Sequence, residues 1–120
     1  MKITPLDKLT SEVVRRRAVQ RVGGCERCLT DHTWQELQCS HFHGRAKRSV
    51  RYDLDNCIGI CAGCHLFLTA RPLEHVEFFK KHLGEEAFDM LYKRSQILRP
   101  RPDENAITLY LNEQLRIMEE

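Results

Sequence analysis

Near the start of the chain, apolar residues recur at the spacing of one helix face. These residues are Leu6, Leu9, Val13, Val14, Ala18 and Val22. The spacing predicts a helix from about Thr10 to Val22, because Gly23 and Gly24 follow and glycine commonly ends a helix. The same stretch carries four cations, Arg15, Arg16, Arg17 and Arg21. Such a run either contacts phosphate or forms a solvated helix face.

The middle of the chain changes from helical spacing to strand-like patterns. Alternation of β-forming residues predicts a strand over Thr33–Cys39, and the short apolar run Cys57–Ile60 predicts a second one. The polar, basic segment His41–Arg51 lies between them. A helix should then begin near Ala62 and end before Pro72, since the residue preceding a proline is pushed out of helical geometry.

The second half of the chain is predicted to be helical. Two stretches at helical spacing, Leu73–Leu83 and Ala87–Tyr92, are separated by Gly84. His75 and His82 fall in the first of them without acidic or cysteine partners at ligand spacing, and we expect both to face solvent.

A proline-rich connector precedes the last helix. Residues 99–102 alternate arginine and proline, which interrupts helical structure. Beyond them, Ile107, Leu111, Leu115 and Met118 form one apolar stripe. We therefore predict one domain over residues 1–99 and a C-terminal helix within 100–120, which packs on that domain or on a partner chain.

Composition fits one ordinary globular domain and narrows the class of protein only slightly. The 120 residues are 30% charged and 42% hydrophobic, and no run of 18 apolar residues indicates a membrane span. The N-terminus carries no apolar signal segment, so we expect a cytoplasmic protein, in which cysteines stay reduced. The net charge is +2, with 11 basic and 7 acidic residues in the first half and 8 and 10 in the second. Only local clusters of cations can therefore support nucleic-acid binding.

The cysteine spacing carries the strongest chemical signal. Cys25 and Cys28 form one Cys-x-x-Cys pair, and Cys61 and Cys64 form another. Two such turns supply the four thiolates of a structural zinc site, with no coordination position left for water. Cys39 and Cys57 remain outside these pairs. We expect both to be buried thiols, although one of them could replace a zinc ligand.

The segment enclosed by the two pairs contains polar residues suited to phosphate chemistry. His41, His43 and Asn56 lie in it, and His65 directly follows the second pair. Its cations are Arg45, Lys47, Arg48 and Arg51. These cations either contact phosphate or belong to a solvated loop.

Taken together, these motifs resemble those of the zinc-containing HNH endonucleases, the ββα-metal or His-Me finger class. The resemblance lies in Cys25-x-x-Cys28, Cys39-Ser40-His41-Phe42, Arg51-Tyr52-Asp53-x-Asp55-Asn56 and Cys61-x-x-Cys64-His65. Phage and prophage HNH proteins, including NinG-type recombination proteins, are similar over roughly residues 6 to 95. The resemblance implies a mostly helical α+β fold with a ββα-metal core and a four-cysteine zinc site, flanked by N-terminal and C-terminal helices.

The resemblance also implies a metal-dependent nuclease that hydrolyses or nicks DNA. His41 would be the general base, and His65 would hold one Mg²⁺ or Mn²⁺ ion at the scissile phosphate. Asn56 would hold the loop and orient His41, and Arg45 would contact the neighbouring phosphate. Arg15, Arg16, Lys47, Arg48 and Arg51 are the candidate DNA contacts. A homodimer would permit paired nicks.

One position departs from the commonest family pattern. Many relatives have an acid or a histidine directly before the base, whereas Ser40, a weak metal ligand, stands here. His43 could supply the second ligand, or His41 could be the ligand and His43 the base. Two imidazole ligands would favour Mn²⁺ over Mg²⁺. The same departure supports an alternative function, a zinc-stabilised nucleic-acid-binding module without catalysis. A third alternative is a protein-interaction or assembly module, which rests on the apolar stripe of the final helix.

Overall fold

Five helices and one two-stranded antiparallel sheet make up the chain, and the computed structural model describes all of residues 1–120. The elements are α1 (Pro5–Val22), β1 (Gln38–His41), β2 (Cys57–Ile60), α2 (Ala62–Ala70), α3 (Pro72–Leu83), α4 (Glu85–Ser95) and α5 (Glu104–Glu119). Single 3₁₀ turns cover Trp34–Glu36, Arg48–Val50 and Leu54–Asn56. The prediction of a mostly helical protein with a small sheet is thus confirmed.

Helix α1 begins earlier than its apolar spacing predicts. Thr4 caps it: the Asp7 backbone NH donates to Thr4 Oγ1, and the Thr4 backbone NH donates to the Asp7 carboxylate at 2.8 Å. Pro5 occupies the first helical position, where its missing NH costs no helical hydrogen bond. The predicted start at Thr10 was therefore wrong by one and a half turns, because this capping box adds residues that the apolar stripe does not mark.

The strand predicted over Thr33–Cys39 is also shorter than expected. Thr33 and Glu36 form a second capping box, in which the Thr33 NH donates to Glu36 Oε1 at 2.8 Å. That reciprocal bonding closes Trp34–Glu36 into a 3₁₀ turn, so β1 begins only at Gln38. Local side-chain bonds therefore outweigh the alternating pattern in this stretch.

The hairpin of β1 and β2 lies between α1 and the α2–α3 pair. Cys39 pairs with Gly59 and His41 with Cys57, and a Cβ built on Gly59 would come within 2.7 Å of the Ala18 Cβ on α1. Ile58 and Ile60 point to the other face, where they join a core that includes Leu68, Phe79 and Leu37. Successive strand residues alternate between faces, so the hairpin presents Cys39 and His41 to the α1 side.

Helix α5 packs on α1 of the same chain. Leu111 is fully buried against Leu6 and Val13, and the predicted stripe residues Ile107, Leu115 and Met118 pack around it. The apolar stripe is therefore covered within the chain. No helix is both long and apolar enough to cross a membrane.

Candidate metal centre and the polar site beside it

The four cysteines of the two Cys-x-x-Cys pairs come together in the structure. Their sulfur atoms all lie within 4.8 Å of one another, and Cys28 Sγ is 3.9 Å from Cys61 Sγ. Separations of this size suit four thiolates around one tetrahedral ion rather than a disulfide, in which the sulfurs are about 2 Å apart. The cluster can hold a metal ion such as zinc, and its all-sulfur donor set favours a thiophilic ion.

The surroundings of this cluster favour a thiolate at Cys28 and disfavour one at Cys64. Arg27 Nη1 donates to Cys64 Sγ at 3.4 Å, which offsets negative charge on the sulfur. Hydrogen bonds with Thr30 lower the pKa of Cys28 to about 6, whereas burial raises the pKa of Cys64 to about 12. A thiolate therefore forms readily at Cys28, whereas a bound cation would help Cys64 to lose its proton.

The first cysteine pair is tied to the sheet through Glu26. The Glu26 backbone NH donates to the Gly59 carbonyl at 2.9 Å, and Glu26 Oε2 accepts from the Gly59 NH at 2.7 Å. The carboxylate is almost fully buried and lies 3.5 Å from Arg21 Nη1. The metal cluster is thereby fixed relative to the hairpin, which carries the candidate catalytic residues.

Asn56 holds the basic loop in place, as the sequence predicts. Its buried side chain accepts from the His43 NH at 2.7 Å and donates to the His43 carbonyl at 2.8 Å and the Val50 carbonyl at 3.1 Å. Both ends of the loop from His43 to Val50 are therefore anchored on one amide. Asn56 makes no bond to the His41 ring, so it orients that residue only through the backbone.

His41 ends β1 with its ring fixed in one tautomer. Its Nε2 lies 3.2 Å from the Arg51 carbonyl oxygen, which can only accept, so Nε2 carries the proton and Nδ1 keeps a free lone pair. Burial and the nearby Arg45 charge lower the pKa of His41. The ring is therefore neutral at neutral pH, the state in which Nδ1 can accept a proton.

His65 lies in the first turn of α2, as predicted, and is also oriented. Its Nδ1 lies 2.7 Å from Gln38 Oε1, so Nδ1 donates and Nε2 is left as the ligand nitrogen. A hydrogen bond of this kind to the far nitrogen is typical of metal-binding histidines. Neither His65 nor His43 joins a group of three or more potential ligand atoms.

The structure does not place His41 and His65 face to face. His65 contacts Gln38, the first residue of β1, whereas His41 is the last residue and points to the opposite face. Three residues of strand separate the two positions along β1, or about 10 Å. The expectation that both rings meet across a phosphate-sized gap is thus not met.

Three of the four other histidines, all except His32, contact aromatic rings. His43 makes edge contacts with Phe42 at 4.8 Å between ring centroids, and burial lowers its pKa. His75 also packs on Phe42, at 5.1 Å, and its Nε2 is buried without a partner. His82 stacks on Phe78. The expectation that His75 faces solvent was therefore wrong, because α3 turns it toward Phe42, whereas His82 is exposed as expected.

Two cations expected at the phosphate are instead paired with an acid on α1. Arg51 Nη2 and Nε contact the Asp7 carboxylate at 2.6 and 2.9 Å, and Arg45 Nε lies 3.6 Å from the same carboxylate. Asp7 is buried, and no motif or spacing in the sequence connects it with these arginines. Arg51 therefore joins the loop to α1 and is not available as a DNA contact, while Arg45 is partly neutralised.

The remaining candidate DNA contacts divide into two groups. The guanidinium groups of Arg15 and Arg16 lie over the half-buried Trp34 ring, at 4.9 and 4.3 Å from its centroid, and Arg16 also pairs with Glu12. Lys47 and Arg48 are exposed and make no ion pair. These two are the free cations on the loop.

Sequence reasoning missed three residues that shape the site: Asp7, Gln38 and Glu26. Asp7 and Glu26 carry a signal that could have been used, because Asp7 follows Leu6 of the apolar stripe and Glu26 lies inside the Cys25-x-x-Cys28 turn. Gln38 carries none, since its role depends on the chain returning 27 residues later. Comparison with models of known families, with curated proteins and with solved structures finds no match to this chain.

Proposed function

We propose that this chain is a zinc-stabilised, HNH-type endonuclease that hydrolyses phosphodiester bonds in DNA. One observation carries the proposal. A strand-end histidine, His41, has one ring nitrogen fixed on a backbone carbonyl and the other free, beside a loop held by the Asn56 amide. We also propose that the hairpin and α2 form a ββα-metal core. The relationship to NinG-type proteins and DNA as the substrate are parts of the same proposal.

His41 would take the proton of the attacking water. Its Nε2–H bond to Arg51 keeps the lone pair on Nδ1, and the neutral ring suits a base at neutral pH. Asn56 fixes the loop that follows His41, so the ring keeps its position when the exposed cations Lys47 and Arg48 bind DNA phosphates.

His65 would be the protein ligand of a catalytic divalent ion. Its Nε2 is free, and one nitrogen is a sufficient protein contribution where waters and phosphate oxygens complete the shell of Mg²⁺ or Mn²⁺. When bound, such an ion neutralises charge on the phosphate. Because His65 contacts the face of β1 opposite to that of His41, the phosphate would have to reach both around the end of the hairpin.

That separation favours a second candidate function, a zinc-stabilised module that binds nucleic acid without cutting it. The free cations Lys47 and Arg48 and the Arg15–Trp34–Arg16 stack would then be its contact surface. Binding would be strongly salt-dependent and would need no divalent ion.

A plasmid-nicking assay distinguishes the two functions. Supercoiled DNA is incubated with the chain and Mg²⁺ or Mn²⁺, beside His41→Ala, His65→Ala and the control His82→Ala. The nuclease predicts nicking that both site variants abolish and the control retains, with the zinc of the four-cysteine cluster kept in all four proteins. Nicking that survives in both site variants refutes the proposal. Salt-sensitive binding without any nicking establishes the binding module.

A further inference from the structure

The α1-facing side of the hairpin holds a second group of metal-ligand side chains. The sulfur atoms of Cys39 and Cys57 and a ring nitrogen of His41 all lie within 4.8 Å of one another. None of these atoms belongs to the four-cysteine cluster. We propose that Cys39, Cys57 and His41 form a second metal site, which takes a thiophilic divalent ion such as Zn²⁺.

Strand geometry explains why the three side chains converge. Cys39 and His41 are two residues apart on β1 and therefore share a face. Cys57 is the register partner of His41. The Gly59 NH and carbonyl bond outward to Glu26, so the Cys39–Gly59 and His41–Cys57 pairs are of the non-hydrogen-bonded kind, in which side chains lie closest.

The donor set is that of a zinc site with an open position. Two thiolates and one imidazole leave the fourth tetrahedral position for water or another ligand. Cys57 is buried, whereas Cys39 and His41 are half-buried. Binding of a divalent cation would release two thiol protons to solvent, and the resulting centre of two thiolates, one cation and a neutral ring carries no net charge.

A buried arginine beside the cluster supports thiolates there. Arg17 Nη2 donates to the carbonyls of Leu54 and Cys57 at 3.1 and 2.8 Å, but its buried Nε has no partner. No carboxylate lies within ion-pair distance of this guanidinium. A thiolate sulfur is a stronger hydrogen-bond acceptor than a thiol, so deprotonated Cys39 and Cys57 would suit the unpartnered Nε–H of Arg17 better than protonated ones.

The second site has a consequence that rests on the proposed function. In the tautomer fixed by Arg51, the only lone pair of the His41 ring is on Nδ1. That lone pair can bind a metal ion or accept a proton from water, but not both. Occupation of the second site would therefore stop hydrolysis, so the free zinc concentration would regulate the nuclease.

Equilibrium dialysis of the full chain against buffered free Zn²⁺ tests the site without measuring activity. We expect a first plateau at one zinc per chain and a second plateau at two. Cys39→Ser and His41→Gln should each lose the second plateau and keep the first, which also shows that both variants fold. His43→Gln, a neighbouring histidine outside the group, should keep both plateaus.

Two results would overturn the inference. One is a wild-type chain that never exceeds one zinc, and the other is a second zinc retained by the combined Cys39→Ser and His41→Gln variant. The nicking assay separates this inference from the proposed function. If the chain binds two zinc ions but does not nick DNA, only the proposed nuclease function is refuted. If it nicks DNA at every zinc concentration and binds only one zinc ion, only the second site is refuted.

Discussion

The buried ion pair between Asp7 and Arg51 gives the sharpest prediction for stability. Burial alone would raise the pKa of Asp7, but hydrogen bonds from Arg51 and Thr4 outweigh it and lower the pKa from 3.8 to about 2. A difference of this size corresponds to about 2 kcal/mol of folding free energy at neutral pH. The side chain of Asp7 is only 2% exposed, so solvent screening removes little of this.

Asp7→Asn keeps the shape of the side chain but removes its charge. Arg51 and Arg45 then lose their common counter-ion, and we expect the free energy of unfolding at pH 7 to fall by roughly 2–4 kcal/mol. Asp55→Asn is the matched control, because Asp55 is half-exposed and lies 3.4 Å from Arg94 Nη2. Its loss should cost less than about 0.5 kcal/mol.

Urea unfolding of a double-mutant cycle is the appropriate assay. Asp7→Asn, Arg51→Met and the combined variant should give a coupling energy of about 2 kcal/mol. The cycle belongs at neutral pH: the folded pKa of Asp7 is depressed, so its contribution is full above about pH 4 and is lost only as pH falls toward 2. Thiolate ligands would release their metal in that acidic range. A coupling energy near zero would refute the proposed role of Asp7.

Three further substitutions test the loop, the hairpin and the last helix. Asn56→Ala removes three buried hydrogen bonds and should cost roughly 2–4 kcal/mol and reduce nicking, whereas the exposed Asn112→Ala should change neither. Gly59→Ala places a methyl group against α1 and should destabilise by about 1–3 kcal/mol, while Gly63→Ala, in open space on α2, should be neutral or stabilising in thermal unfolding. Leu111→Ala should lower the free energy of unfolding by about 2–5 kcal/mol, and an unchanged urea midpoint would show that α5 does not stabilise α1.

The sequence predicts those parts of the fold that depend on local spacing. The helices follow from apolar periodicity. The convergence of Cys25, Cys28, Cys61 and Cys64 follows from the four ligands of a zinc site, of which each Cys-x-x-Cys turn supplies two. Where the prediction of Thr33–Cys39 as a strand was wrong, another local signal competed, because a capping box closes a 3₁₀ turn in place of the strand.

The parts of the site that depend on distant partners were not predictable in this way. Arg51 looks like a phosphate contact because it ends a run of loop cations, but Asp7 lies 44 residues away and takes its charge. The orientation of His65 depends on Gln38, and the face on which His41 lies depends on the register of the hairpin. Pattern and spacing identify which residues carry chemistry, but only tertiary structure decides which of them meet.

The bonds that Glu26 makes to Gly59 have a consequence for handling the protein. On the side of β2 away from β1, the backbone groups that point outward belong to Cys57 and Gly59. The Cys57 NH donates to Leu54, its carbonyl accepts from Arg17, and Glu26 occupies both Gly59 groups. Loss of zinc would release the Glu26 turn and leave the Gly59 NH and carbonyl unpaired at this strand edge. Metal-free protein should therefore associate more readily through Gly59, and a chelator in a purification buffer should promote aggregation.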